Sequence, residues 1–134
     1  MDVAQLQASL STHFAPWVQD LQLSVVEASA EGVVLRLPRS DRIERIGGLV
    51  CGQALMAISD TGMALALCRH FGAFRAMSTV QLNSQFLKPL IAQDGLAHTR
   101  LLRVGKSLAF GEIEIRGARD QSMVCTATTT YALL

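Results

Sequence analysis

Charge is scarce in this 134-residue sequence: Asp, Glu, Lys and Arg make up 17%, and 12 basic against 11 acidic residues leave a net charge of +1. Such a balance excludes the broad basic face that nucleic acids and anionic membranes select. Cysteine is scarce too. Cys51, Cys68 and Cys125 form no CxxC and no Cys/His pattern, which excludes a disulfide framework and leaves no metal site to expect. The first ten residues, MDVAQLQASL, lack the basic start and continuous apolar run of a secretion signal, so a reduced, cytoplasmic protein is expected. Repeats, low-complexity tracts and a linker are also missing, and a single domain over residues 1–134 follows. Apolar side chains are what is abundant. They form 50% of the sequence, with a mean hydropathy of +0.32, which excludes disorder and leaves apolar surface for a subunit interface.

The pattern of elements is regular. Residues 2–14 read as a short helix capped by Asp2, with Val3, Leu6 and Leu10 at helical spacing and Pro16 ending it. Leu23–Ser29 and Val33–Leu37 are strand-like runs joined across Ala30-Glu31-Gly32, and residues 39–45 (RSDRIER) read as a solvated loop. A long apolar helix is predicted from about Gly52 to Phe71, since Gly47 and Gly48 are poor helix-interior residues and Gly72 follows Arg69 and His70. Four strands then follow at 76–88, 96–104, 107–116 and 121–133, separated by short turns. In the first of them Val80, Leu82, Ser84 and Phe86 fall on one face, with Thr79, Gln81, Asn83 and Gln85 on the other. Short turns imply antiparallel pairing, and a helix apolar on nearly every side needs enclosing. The expected architecture is an α+β fold with a long antiparallel sheet wrapped around a central helix. A membrane span is a poor reading of residues 47–68, because Asp60 at its middle would cost about 2.5–3.5 kcal/mol.

Asp60 is the one charged group in that helix before Arg69. A carboxylate there is either satisfied by an arginine of the 39–45 segment or by backbone donors, or it is kept for chemistry. Gln53, seven residues earlier, shares its face. Gly52 opens the helix, where unpaired N–H groups and the positive dipole end can stabilise an oxyanion. The two residues are eight apart, about 12 Å along one helix, whereas attack and oxyanion stabilisation converge on one carbonyl carbon. Two antiparallel helices from two subunits satisfy both demands, so a homodimer or a dimer of dimers is expected.

The segments CGQALMAISDTGMALAL, TVQLNSQFLKPL and LLRVGKSLAFGEIEI resemble the hotdog-fold acyl-CoA thioesterases of the PaaI-like, phenylacetate-pathway group over roughly residues 20–133. Gly52 and Asp60-Thr61 match the family's glycine and acidic positions, while Cys51 stands where the family has His, and Gln53 stands where it has a second Gly and is expected to join the catalytic group by hydrogen-bonding the thioester or the water. The resemblance implies hydrolysis of a small or medium acyl-CoA, with the thioester carbonyl on the Gly52 amide and Asp60 of the partner subunit attacking as base or nucleophile. It also implies that Arg100, Arg103 and Lys106, around the Val104-Gly105-Lys106-Ser107 turn, meet the phosphates of coenzyme A, with Arg75 and Lys88 as further candidates. Cys51 and Asn83 complete the expected substrate contacts, and no cofactor beyond the substrate's own coenzyme A is needed. Three rival readings stand beside this one. They are a non-catalytic acyl-CoA or acyl-carrier binding module, a Cys51 thiol nucleophile, and a dehydratase, which would need a histidine placed in the helix.

Overall fold

In the computed structural model, which describes residues 1–134, the sheet forms as the turn spacing predicts. Helix α1 (Val3–His13) starts with a capping box, in which the Asp2 carboxylate accepts from the Gln5 amide and the Gln5 side chain accepts from the Asp2 N–H. Pro16 ends it and opens a one-turn helix, α2 (Pro16–Gln19), which the sequence pattern does not reveal. Strands β1 (Ser24–Ser29) and β2 (Gly32–Leu37) make the first hairpin. Residues 39–43 are loop and turn, as their charge predicts, but the last two residues of that segment are strand. Glu44–Arg45 (β3) and Leu49–Val50 (β4) pair as a small hairpin across Gly47 and Gly48, both at positive φ (93° and 74°).

The central helix α3 runs from Gly52 to Phe71, ending where the Gly72 N–H reaches the Cys68 carbonyl. Four antiparallel strands follow, β5 (Met77–Phe86), β6 (Gly95–Val104), β7 (Leu108–Gly117) and β8 (Met123–Leu133). The six long strands form one sheet in the order β1-β2-β6-β7-β8-β5, so β1 and β5 are its edges. Its inner face curls round α3. Leu35, Leu37, Ile113, Ile115, Cys125 and Ala127 meet Ile58, Leu65 and Cys68, while Ala109, Tyr131 and Leu133 meet Met63, Ala64 and Leu67. Each fully buried Leu or Ile contributes about 1.5–3 kcal/mol. Helix and sheet approach closely at Gly62, where any Cβ would collide with the Thr99 hydroxyl.

One strand departs from simple alternation. The register of β5 against β8 slips between Thr79 and Gln81, a β-bulge at Val80. Thr79 lies opposite inward-facing Tyr131, and Leu82 opposite inward-facing Thr129, so Thr79 joins the Leu82 face. Strict alternation would place it on the outer one.

Candidate active site

Asp60 sits at the middle of α3, half-buried, and its partners are neither arginines nor backbone donors. Arg39 pairs with Glu44 (3.5 Å) and Arg42 with Asp20 (3.9 Å). The carboxylate is held instead from the sheet. The Thr79 hydroxyl donates to Asp60 Oδ1 at 2.7 Å, and the Tyr131 hydroxyl donates to the same Oδ1 at 2.6 Å and to the Asp60 carbonyl at 2.9 Å. Oδ2 has no partner within the chain. Burial, reinforced by the facing carboxylate, pushes the Tyr131 phenol far above its ordinary pKa, so it stays a proton donor. Sequence patterning singles out neither Thr79 nor Tyr131. The bulge at Val80 hides Thr79, and Tyr131 reads as one inward residue among several.

The helix is sealed unevenly. From Ile58 onward most of its side chains are buried, but Gln53, Met56, Ala57 and Asp60 form a stripe that the sheet leaves open, with Met56 40% exposed. Gln53 and Asp60 share this face, as their seven-residue spacing predicts. At the helix start the Gly52 N–H donates to no acceptor in the chain, since the first-turn bonds run from Ala54 and Leu55 to the Cys51 carbonyl. Two hollows flank this point. One, of about 280 Å³, includes Gly52, Leu55, Phe86 and Lys88, with the Phe86 ring facing the side of Gly52 where a Cβ would stand. The other, of about 250 Å³, is lined by Trp17, Leu21, Ile43, Cys51, Gln53 and Ala54. Asp60 borders neither hollow. Two turns of helix separate it from Gly52, about 12 Å.

The family model of the thioesterase superfamily matches residues 47–124, more than half of the chain. The chain belongs to the thioesterase superfamily. A candidate thioesterase of Silicibacter sp. TM1040 is 27% identical and superposes with a TM-score of 0.90, covering 100% of this chain and 92% of that one. A thioesterase of Haemophilus influenzae, 16% identical, shares the fold with a TM-score of 0.85 over 100% of this chain and 91% of its own. Among curated proteins, a candidate esterase of Thermoplasma acidophilum is 24% identical over 97 residues, 72% of this chain and 73% of its own length. The sheet wrapped round α3 is therefore the hotdog fold, and the protein is a hydrolase acting on thioesters.

The remaining predicted positions of this thioesterase are dispersed. Gly105, Lys106 and Ser107 form the β6–β7 turn, with Arg103 just before it in β6; the Gly105 N–H reaches the Leu108 carbonyl and the Leu133 N–H reaches that of Ser107. The turn lies beyond Tyr131 and so belongs to the Asp60 end of the molecule, not the Gly52 end. Arg103 and Lys106 are exposed and pair with no carboxylate, whereas Arg100 is held by Glu112. Arg75 lies over the Phe71 ring at 4.8 Å. Asn83 is not brought to the others: it is on the outer face opposite Thr128 and accepts from Gln85 Nε2 at 2.9 Å. The thiol of Cys51 has no histidine near it. His13 meets Ser9 and Phe74, His70 meets Phe71, and His98 meets the Glu31 carbonyl. Burial pushes the Cys68 and Cys125 thiols up, away from nucleophilic use. No helix is long and apolar enough to cross a membrane.

Proposed function

We propose that this thioesterase hydrolyses small or medium acyl-CoA substrates, in the manner of the PaaI-like group, as a cytoplasmic two-fold homodimer or a pair of such dimers. The observation that carries the reading is the open stripe on α3: Asp60 presents a free Oδ2 on the uncovered face of an otherwise enclosed helix. Beside it runs β5, a bare edge strand with exposed Val80 and Phe86 and no charged residue. Pairing β5 with its two-fold mate continues the sheet, covers the stripes, and sets antiparallel helices side by side. Asp60 of one subunit then approaches Gly52 of the other, which no single chain achieves.

In this arrangement the thioester carbonyl oxygen lies on the partner's Gly52 N–H at the positive end of α3. Asp60 Oδ2 takes a proton from a water, whose oxygen attacks the carbonyl carbon. The tetrahedral oxyanion collapses, the C–S bond breaks, and the coenzyme A sulfur leaves with the proton held by Asp60. Free acid and coenzyme A are the products, and no cofactor takes part. The hollow beside Cys51 and Gln53 takes a compact acyl group, and Arg103 and Lys106, with Gly105 and Ser107 shaping their turn, take the phosphates. An Asp60→Asn variant assayed against a panel of acyl-CoAs is expected to lose about 10²–10⁴-fold in kcat. A wild-type protein that hydrolyses no acyl-CoA, or a variant with full rate, overturns the proposal.

A further inference from the structure

Tyr131 is the single tyrosine of the chain, and it lies beyond the segment that the family model matches, so family membership says nothing of its role. It stands on the inner face of β8, 4% exposed, with its ring among Met63, Ala64, Leu67, Ala109 and Leu133. Its hydroxyl reaches one residue at two points, the Asp60 carbonyl and Asp60 Oδ1. A packing role would account for the ring. It does not account for a buried hydroxyl aimed at the one carboxylate of the helix, since phenylalanine would fill the same space without a polar atom to satisfy.

A carboxylate turned by half a revolution about its last torsion is unchanged, so its two oxygens ordinarily exchange roles. Here they do not. Oδ1 accepts from both Tyr131 and Thr79, and rotation would break two hydrogen bonds to a charged acceptor. The bond to the Asp60 carbonyl ties the phenol to the main chain of the same residue, so the donor and the carboxylate move as one body. We propose that Tyr131 is a positioning residue that divides the labour between the Asp60 oxygens, fixing Oδ1 against the sheet and presenting Oδ2 to the reacting water. The inference rests on the reading of Asp60 as the group that activates water. Orientation of this kind lowers the barrier without touching substrate, so its effect falls on kcat.

Tyr131→Phe keeps the ring and removes only the donor. It is expected to lower kcat about tenfold with KM changed less than twofold, and to change the residual rate of an Asp60→Asn enzyme less than twofold. Loss of equal size in both backgrounds, or an unchanged kcat, overturns the inference. Because there is one tyrosine, biosynthetic 3-fluoro- and 3,5-difluorotyrosine alter this hydroxyl alone and provide a further test if Tyr131→Phe does not fold. Stepping the phenol's acidity is then expected to step kcat with KM fixed, and a flat series overturns the positioning role. The two readings fail separately. Full activity in Asp60→Asn removes the proposed chemistry, whereas a damaged Asp60→Asn beside an intact Tyr131→Phe removes only the role of Tyr131.

Discussion

The sheet has two edges, and they are treated differently. At β1 the edge is shielded. Helix α1 lies along it, and the Gln7 side chain bridges the backbone, donating to the Leu23 carbonyl and accepting from the Val25 N–H. Glu27 adds a charge on that strand. At β5 nothing comparable is found: ten residues without a charge, exposed Val80 and Phe86, and Leu87 just beyond at 58% exposure. An unprotected edge of this length invites another strand, and proteins that must stay monomeric blunt such edges with lysine, proline or a covering element. One edge is closed by the chain itself; the other is the edge through which the proposed dimer pairs.

The contrast can be broken most severely at β5. Val80→Lys, which puts a charge on the bare edge, is expected to turn the proposed dimer into monomers in sedimentation velocity and to lower activity by at least about 10³-fold, since each proposed site would lose half its groups. An active monomer would show that the edge is unrelated to the chemistry. The next largest effect concerns what the edge assembles. Gly52→Pro suits the first position of a helix, and Cys51 already has the extended conformation (φ −67°, ψ 150°) that precedes proline. It removes the N–H and adds a ring whose Cβ meets Phe86 at ordinary contact distance (3.5 Å), and it is expected to cost about 10²–10³-fold in kcat. Refolded as an equal mixture with Asp60→Asn chains, it is expected to regain about a quarter of wild-type activity, because half the dimers are mixed and each of those keeps one intact site. A mixture that stays inactive places both groups in one chain. The smallest effect belongs to the shielded edge: Gln7→Ala is expected to cost about 1 kcal/mol in denaturant unfolding, with oligomeric state and kcat unchanged.

Much of this fold was legible in the residues. Asp2, Pro16, Gly52 and Gly72 marked helix ends by capping chemistry, and threonine alternation in 123–133 marked a strand with one inward face. Asp60 announced itself by isolation. Two things were hidden for physical reasons. Charge density made Glu44–Arg45 read as part of the loop that 39–43 do form, although the Gly47-Gly48 pair, able to take positive φ, carried a hairpin signal. The other was the surroundings of Asp60. Thr79 and Tyr131 are 19 and 71 residues away from it, and only strand register brings them together. Register is a property of the whole sheet, and a bulge leaves no mark in the local pattern of side chains.

That bulge has a consequence for how such a site can change over time. A strand shows its residues left and right by parity, and one extra residue reverses the parity of everything on one side of it. Removing Val80 would leave Thr79 opposite Tyr131 in an unbroken ladder, whereas drawing Val80 into the ladder would turn Thr79 away from the helix without altering Thr79 itself. Whether one extra residue of β5 is bulged out or drawn into the ladder is thus a route by which a hotdog protein can gain or shed a ligand of its acidic residue without substituting that ligand.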